Sequence, residues 1–276
     1  MSLETETIEQ SRRLELAFAG IVSFALVGLI LAVMELSSPD AVVAEFSEPI
    51  VVFPDFASIS DIDAKKKQFF DFFQDFVRYE NGLISETRVR LLSYAEIVEG
   101  GVLLSGRERD WLLGLASSYE VGTEIVSDKE ILDELLKRVD VIPASLVLAQ
   151  AANESAWGTS RFALEGNNIF GQWCFEEGCG IVPNRRVEGA THEVKSFDSI
   201  KASIEGYFRN INTHHLYADF REERARLRRL GHSLDPIALV EGLERYSQRG
   251  ENYIDEVQTL IYQNDLRQRD KRWLDN

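Results

Sequence analysis

The sequence predicts a mainly α-helical protein that is interrupted by one small irregular lobe and preceded by an N-terminal transmembrane helix. Three observations support this fold class. Residues 16–34 form an uncharged run of 19, apolar residues recur at spacings of three and four from Asp63 onward, and residues 165–197 are rich in Gly, Asn and Cys. The chain of 276 residues is long enough for one sizeable domain or two small ones.

The N-terminal segment is predicted to cross a membrane. Residues 14–34 approach the ~20 apolar residues that a bilayer core requires, and Arg12 and Arg13 precede them, whereas the next basic residue is Lys65. The flank of a transmembrane helix that carries the Lys and Arg residues usually lies in the cytoplasm. Residues 1–13 are therefore expected in the cytoplasm, with a single-pass anchor in the inner membrane and the rest in the periplasm or cell envelope. The alternative is a cleaved signal peptide, although the apolar run is longer than such peptides usually carry.

The region after the anchor changes from a tether to helices. Residues 35–62 contain three prolines and scattered acids, a composition typical of an extended tether. Residues 63–140 are expected to be helical, with aromatic stripes that we interpret as core. Four helices are predicted there. The first begins at Asp63, and the others cover 85–99, Trp111 to Tyr119, and Lys129 to Val139.

The last part of the chain, residues 141–266, contains the motifs that carry chemistry, and 267–276 are predicted to be a C-terminal tail. Pro143 is expected to open a helix that runs to about Trp157. Further elements are predicted as short strands near 180–182 and 193–197 and as helices over 219–230 and around 254–261. Two more helices are predicted to begin after N-caps at Asp198 and Asp235, the second with Pro236 at its first position.

The composition restricts the function classes. A net charge of −16 argues against a general nucleic-acid binder, because neutralising phosphates needs clustered Lys and Arg. The four arginines between 224 and 229 are expected on a solvated helix face. Cys174 and Cys179 are expected to form a disulfide outside the cytoplasm, with free thiols as the alternative. No metal site and no organic cofactor is predicted, because no other Cys or His has zinc-site spacing.

Glu154 is the main candidate for catalysis. Helical spacing places it on one face with Leu146, Gln150 and Trp157, which are largely apolar surroundings for a carboxylate. Such surroundings raise the pKa of a carboxyl group, as a general acid for glycosidic cleavage requires. Spacing alone also fits a surface glutamate near a helix end, which is the more frequent situation.

A family resemblance favours the catalytic interpretation. NESAWGTSRF at 153–162 and GNNIFGQW at 166–173 resemble the glucosaminidase domain of glycoside hydrolase family 73. WCFEEGCGIVP at 173–183 and HEVKSF at 192–197 are similar to the Bax-type envelope proteins.

The resemblance covers residues 63–264 and implies a lysozyme-like α-lobe with a small β-lobe across a sugar-binding cleft, 141–266 being the catalytic domain. It implies β-N-acetylglucosaminidase activity on peptidoglycan or related glycans, with Glu154 as the acid.

The resemblance also implies a second carboxylate in the β-lobe, but the comparable strand, GIVPNRR, contains no acid. Glu188 and Glu193 lie nearby and are the candidates. Alternatively, Glu154 acts alone as acid and then base while a hydroxyl or acetamido group of the substrate attacks, as in a lytic transglycosylase.

YSQRGENYI at 246–254 resembles a family segment with a functional tyrosine. Tyr253, ahead of Tyr246, is therefore a candidate for contact with the substrate or the attacking water. The alternative is that the tyrosine ring packs in the interior and its hydroxyl forms a hydrogen bond with a backbone group.

The remaining predicted site residues are expected to bind the substrate. Side chains with hydrogen-bonding amides or aromatic faces suit sugar hydroxyls and sugar rings. They are Gln150, Trp157, Asn167, Asn168, Phe170, Gly171 and Trp173. For the Gly-Asn-Asn segment, a well-ordered turn without a ligand is the alternative.

The sequence therefore predicts a membrane-anchored peptidoglycan hydrolase. Its expected partners are the glycan strands, the membrane and an unidentified regulatory protein. Control of the activity is expected through the helices of 63–140. A lytic transglycosylase and a non-catalytic peptidoglycan-binding scaffold are the alternatives.

Overall fold

The computed structural model describes residues 53–122, 127–184, 186 and 189–270. Within these ranges, no helix is both long and apolar enough to span a bilayer. The predicted anchor at 14–34, most of the predicted tether and Glu188 lie outside the described residues.

The described chain is mainly helical with one small sheet, as predicted. Its α-helices are α1 (Ile62–Glu99), α2 (Gly106–Ser118), α3 (Asp128–Arg138), α4 (Ala144–Glu154), α5 (Arg161–Gly166), α6 (Ile200–Thr213), α7 (Ala218–Arg229), α8 (Pro236–Val240) and α9 (Glu251–Gln263). The strands are β1 (Trp173–Cys174), β2 (Gly180–Ile181) and β3 (Glu193–Lys195). Short 3-10 helices occupy Phe56–Ser58, His215–Tyr217, Glu241–Tyr246 and Leu266–Asp270.

The first two predicted helices are one continuous helix, α1, so the prediction of two was wrong. The helix begins after its N-cap Asp61 and ends at Gly100. It passes through Gly82 because the buried apolar stripe continues on both sides, at Val77 and Ile84, and this packing outweighs the low helix propensity of glycine.

Helix α4 is almost entirely buried and ends at Glu154. All residues from Ala144 to Ala152 are buried, and its small side chains let neighbouring helices approach closely. It ends before the predicted Trp157, because Ala156 and Trp157 have φ values of 50° and 59°, which cannot continue a right-handed helix.

The start of α4 is fixed by residues distant in sequence. Asn81 of α1 bonds both the N–H (3.0 Å) and the carbonyl oxygen (2.8 Å) of Ile142. Asp270 accepts hydrogen bonds from the N–H (2.8 Å) and hydroxyl (2.6 Å) of Ser145. Residues 267–270 therefore belong to the folded domain rather than to the predicted tail.

The small sheet is antiparallel with strand order β1-β3-β2. Its first strand was not predicted from the sequence. Gly180 is required, because a Cβ there would lie 2.0 Å from the carbonyl oxygen of Val194. A disulfide joins Cys174 and Cys179 across the turn between β1 and β2.

Two predicted N-caps have different outcomes. Ser199, not Asp198, caps α6, because its hydroxyl accepts a hydrogen bond from the N–H of Ala202 (3.1 Å). Asp235 caps α8 as predicted, with Pro236 in the first turn.

Two of the four arginines predicted on a solvated face of α7, Arg224 and Arg228, belong instead to a buried charge cluster, whereas Arg226 and Arg229 are exposed as predicted. Arg224 is 0% exposed and donates to the carbonyl oxygens of Lys137 (2.9 Å) and Val141 (3.1 Å). Asp140, 1% exposed, binds Arg228 at 2.9 Å. Burial alone would raise the pKa of Asp140, but the arginine charges around it hold that pKa below its ordinary value.

We expect Asp140→Ala to lower the free energy of unfolding of the full-length chain by about 3–5 kcal/mol, because Arg224 would stay buried without its counter-charge. Urea unfolding at neutral pH measures this change. Asp133→Ala is the control: it breaks an exposed pair with Lys129 (2.7 Å) and should cost less than about 1 kcal/mol. Equal losses in the two variants would contradict a stabilising role for the cluster.

Candidate active site

A cleft of about 810 Å³ opens between the C-terminal end of α4, the small sheet and the segment after Glu241–Tyr246. Glu154 lies in its wall. Of the other predicted site residues, the cleft is lined by Phe170, Gly171, Trp173 and Tyr246.

The Glu154 carboxyl is able to hold a proton near neutral pH. Burial raises its pKa to about 7, while a hydrogen bond from Tyr253 and the charge of Arg249 oppose the rise only in part. Its Oε1 is buried without a hydrogen-bond partner. Gly171, with φ +64°, leaves space beside it, because a Cβ there would lie 3.4 Å from Oε2 of Glu154. A carboxyl with these properties suits general acid catalysis.

A chain of buried hydrogen bonds orients this carboxyl. The Tyr207 hydroxyl donates to Oε1 of Gln150 (2.6 Å), and Nε2 of Gln150 donates to the Tyr253 oxygen (2.8 Å). The Tyr253 proton is thereby directed to Glu154. Tyr207, Gln150 and Tyr253 are each 0% exposed. Gln150 and Tyr253, predicted to contact the substrate, therefore position Glu154 from behind the cleft surface.

Two stacked aromatic pairs support this hydrogen-bond chain. Tyr246 stacks on Tyr253, with ring centroids 5.4 Å apart and 9° between the planes, and its hydroxyl donates to the carbonyl oxygen of Phe170 (2.8 Å). Phe170 in turn stacks on Tyr207 at 4.1 Å. The backbone beside Gly171 is thus tied to the rings that hold Glu154.

The outer part of the cleft offers an aromatic face and positive charge. Trp173 is 50% exposed and stacks on His192, with ring centroids 4.0 Å apart. Arg186, Lys195 and Arg245 also line the cleft. Such a surface suits a sugar ring and anionic substituents.

Three predicted substrate-binding residues lie elsewhere. Trp157 packs against Phe69 and Phe70 of α1, at centroid distances of 5.6 Å and 5.3 Å, because the chain leaves the helical path after Glu154, where Trp157 has φ 59°. The side-chain amides of the other two, Asn167 and Asn168, donate hydrogen bonds to backbone carbonyl oxygens.

The two asparagines form an ordered turn, the alternative interpretation of their segment. Asn167 has φ 51° and donates to the carbonyl oxygen of Phe197 (2.9 Å). Asn168 is 1% exposed and donates to the carbonyl oxygens of Gln172 (2.9 Å) and Lys195 (2.7 Å). These bonds join the turn to the small sheet.

Glu193 is also turned away from the cleft. It is 5% exposed, and its carboxylate accepts hydrogen bonds from the N–H groups of Gly178 (3.1 Å) and Gly180 (2.8 Å). These bonds hold the pKa of Glu193 below its ordinary value, so it stabilises the turn between β1 and β2.

Tyr207 and Arg245 were not identified from the sequence. Tyr207 belongs to the apolar stripe of α6, beside Ile204 and Ile211, so its spacing indicated a helix and no further role. A tyrosine on a fully buried stripe needs a partner for its hydroxyl, and this requirement was the available signal. Arg245 had no such signal.

The chain is similar to known proteins over most of its described part. The sequence model of the glucosaminidase family, described as mannosyl-glycoprotein endo-β-N-acetylglucosaminidase, matches residues 129–266. The chain is 34% identical over 200 residues to Protein bax of Escherichia coli (strain K12), across 72% of this chain and 70% of that protein. The catalytic domain of the autolysin Auto from Listeria monocytogenes is similar over 65% of this chain and 97% of its own, at 18% identity and a TM-score of 0.38.

The chain therefore belongs to the glucosaminidase family and is a glycoside hydrolase. The resemblance stated from the sequence motifs is confirmed.

We expect Tyr253→Phe to raise the pKa of Glu154 above about 7, because the hydrogen bond that opposes burial is lost. The activity of a protonated acid falls as pH rises through its pKa, so the alkaline limb of the kcat profile should move to higher pH. Loss of orientation should also lower kcat by roughly tenfold. The measurement is kcat against pH with purified sacculi.

Tyr262→Phe is the matched control, since Tyr262 lies on the same helix and is 58% exposed. It should leave the profile unchanged. A Tyr253→Phe variant with the wild-type profile and kcat would show that Tyr253 does not act on Glu154.

Proposed function

We propose that this protein is an endo-β-N-acetylglucosaminidase that hydrolyses the glycan strands of peptidoglycan, with Glu154 as its general acid. The supporting observation is the buried Glu154 carboxyl, held by Tyr253 at the wall of a sugar-sized cleft with a pKa raised to about 7. The helical lobe, the small sheet and the cleft between them are also consistent with a lysozyme-like arrangement.

The reaction follows from the position of this proton. Protonated Glu154 donates to the glycosidic oxygen while the bond from that oxygen to the anomeric carbon breaks. A water molecule then adds to the anomeric carbon, and its proton returns to a carboxylate. The products are two shorter strands, one with a new reducing end.

The charge of the cleft supports an anionic substrate. Arg186, Lys195 and Arg245 line it, and Glu154 is the one carboxylate among its described lining residues, although the whole chain carries −16. This charge attracts carboxylates and gives little advantage to a neutral sugar chain. The free carboxylates of the peptides, and those of lactyl groups that carry no peptide, therefore fit this cleft better than a neutral mannose-containing glycan does.

For the second catalytic group, we favour Glu188 over Glu193. The Glu193 carboxylate is occupied by two backbone N–H groups. Glu188 lies in sequence between Arg186 and His192, both of which line the cleft. A carboxylate there would activate the attacking water or stabilise the anomeric carbon.

We also propose that residues 14–34 anchor the protein in a membrane, with the catalytic part in the periplasm or cell envelope. The disulfide between Cys174 and Cys179 supports this location, because disulfides persist in oxidising compartments. Protease added to spheroplasts should digest the part after residue 34. Complete protection of that part would contradict the proposal.

We expect Glu154→Gln to reduce the release of fragments from sacculi by about 10²–10⁴-fold, because the glutamine has no acidic proton to donate. Mass spectrometry of the released fragments measures both amount and chemistry. Glu251→Gln, which alters an exposed residue, is the control and should retain full activity. Wild-type products ending in reducing N-acetylglucosamine support hydrolysis at the proposed bond.

Other products distinguish the alternatives. Fragments ending in a 1,6-anhydro sugar would show transglycosylation with Glu154 acting alone. Binding of sacculi without release by either protein would favour a scaffold.

In the same assay, Glu188→Gln should lower kcat much more than Glu193→Gln, and the reverse order would assign the role of second catalytic group to Glu193.

A further inference from the structure

A second cavity, of about 720 Å³, lies beside the active-site cleft. Its walls include Glu80 of α1, Tyr119 after α2, and Arg209 of α6. Because the family match begins at residue 129, the α1 and α2 walls come from the chain that precedes the family domain. Lys195 lines both the cavity and the cleft, so the two spaces adjoin at this side chain.

Glu80 is the unusual group in this cavity. It is 8% exposed, and its Oε1 is buried without a hydrogen-bond partner. Within the described part of the chain, Glu154 is the only other carboxylate with a buried oxygen that lacks a partner. Burial, and then the like charge of Glu205, raises the pKa of Glu80 to about 7. Such a group is uncommon in proteins, and a bound ligand, an ordered water or a catalytic role is a usual explanation.

The remaining walls carry charge of both signs and apolar surface. Arg209 lines the same cavity, is exposed, and forms no salt bridge with a carboxylate of the described chain. The exposed carboxylates of Asp198 and Glu205 also line it, and that of Glu205 is paired with Lys201 (3.3 Å). Leu83, Ile84 and Phe208 add apolar surface. A carboxyl, a guanidinium and apolar side chains around one space match a ligand with an ammonium group, a carboxylate and short aliphatic parts.

We propose that this cavity binds a short peptide that carries a free amino group and a terminal carboxylate, attached to the glycan strand in the neighbouring cleft. The source of the peptide rests on the proposed function. The ammonium group donates to the Glu80 carboxylate, the peptide carboxylate pairs with Arg209, and aliphatic parts contact Leu83 and Ile84. Because Lys195 lines both spaces, the peptide and the glycan bind side by side. The contacts with the peptide then favour strands whose peptides are intact.

The probe is the synthetic peptide N-acetyl-L-Ala-γ-D-Glu-L-Lys-D-Ala, which has a free lysine amine, a free terminal carboxylate and the free α-carboxylate of its D-Glu. Binding to the full-length protein is measured by isothermal titration calorimetry. Glu80→Gln and Arg209→Gln should each weaken binding by roughly tenfold or more, because each removes one charged hydrogen bond. Acetylation of the lysine alone should weaken binding to wild type as Glu80→Gln does, and amidation of the C-terminus alone should weaken it as Arg209→Gln does.

Matched controls come from exposed positions. Glu86→Gln alters the same helix as Glu80, and Arg107→Gln removes one exposed positive charge; both should bind the probe like wild type. Thermal unfolding verifies that every variant is folded. Wild-type affinity in Glu80→Gln and Arg209→Gln, or no binding of the probe to wild type at millimolar concentration, would overturn the proposal.

This test separates the peptide site from the proposed function. Glu154→Gln should bind the probe like wild type while releasing nothing from sacculi. Glu80→Gln should lower kcat/KM on peptide-bearing strands and leave it unchanged on strands stripped of peptides. An equal loss on both strands would assign Glu80 a structural role and contradict peptide selection. If the probe binds but no strand is hydrolysed, the proposed function is contradicted while the peptide site is retained.

Discussion

The position of α4 depends on a buried guanidinium. Arg224 donates to carbonyl oxygens at the end of α3 and in the segment that leads into α4, and Asp140 supplies its counter-charge. Asn81 and Asp270 hold the next residues of that segment. Because a buried helix moves as a rigid rod, fixing its start also fixes Glu154 at its last residue.

At that last residue, two opposing effects set the chemistry. Burial disfavours the charged carboxylate, while the hydrogen bond from Tyr253 favours it, and burial is the larger effect. Tyr253 is directed by Gln150, which is directed by Tyr207, so the orientation of the acid is maintained by three side chains without access to solvent. The cleft surface can therefore change with the substrate while the proton donor stays in place.

The helices that precede the family domain contribute to both functional regions. Helix α1 supplies Asn81 to the start of α4 and Glu80 to the second cavity, from adjacent positions of one helix. It also packs against Trp157, just beyond the acid. These contacts connect α1 directly to the segments on both sides of the acid. The second cavity, which α1 helps to form, adjoins the cleft at Lys195, so a ligand bound there would lie next to the glycan.

The sequence by itself determined the features that depend on neighbouring residues: the mainly helical class, the cap at Asp235 and Pro236, and the motif around Glu154 that indicates the family. Only the tertiary structure decided which polar groups meet, because hydrogen bonds such as Gln150 with Tyr207 and Tyr253 join residues 57 and 103 positions apart. Periodicity predicted the helix α6 but not the partner of its tyrosine hydroxyl. It equally could not show that Arg224 lies inside, since a buried charge is stable only where distant carbonyl oxygens and carboxylates surround it.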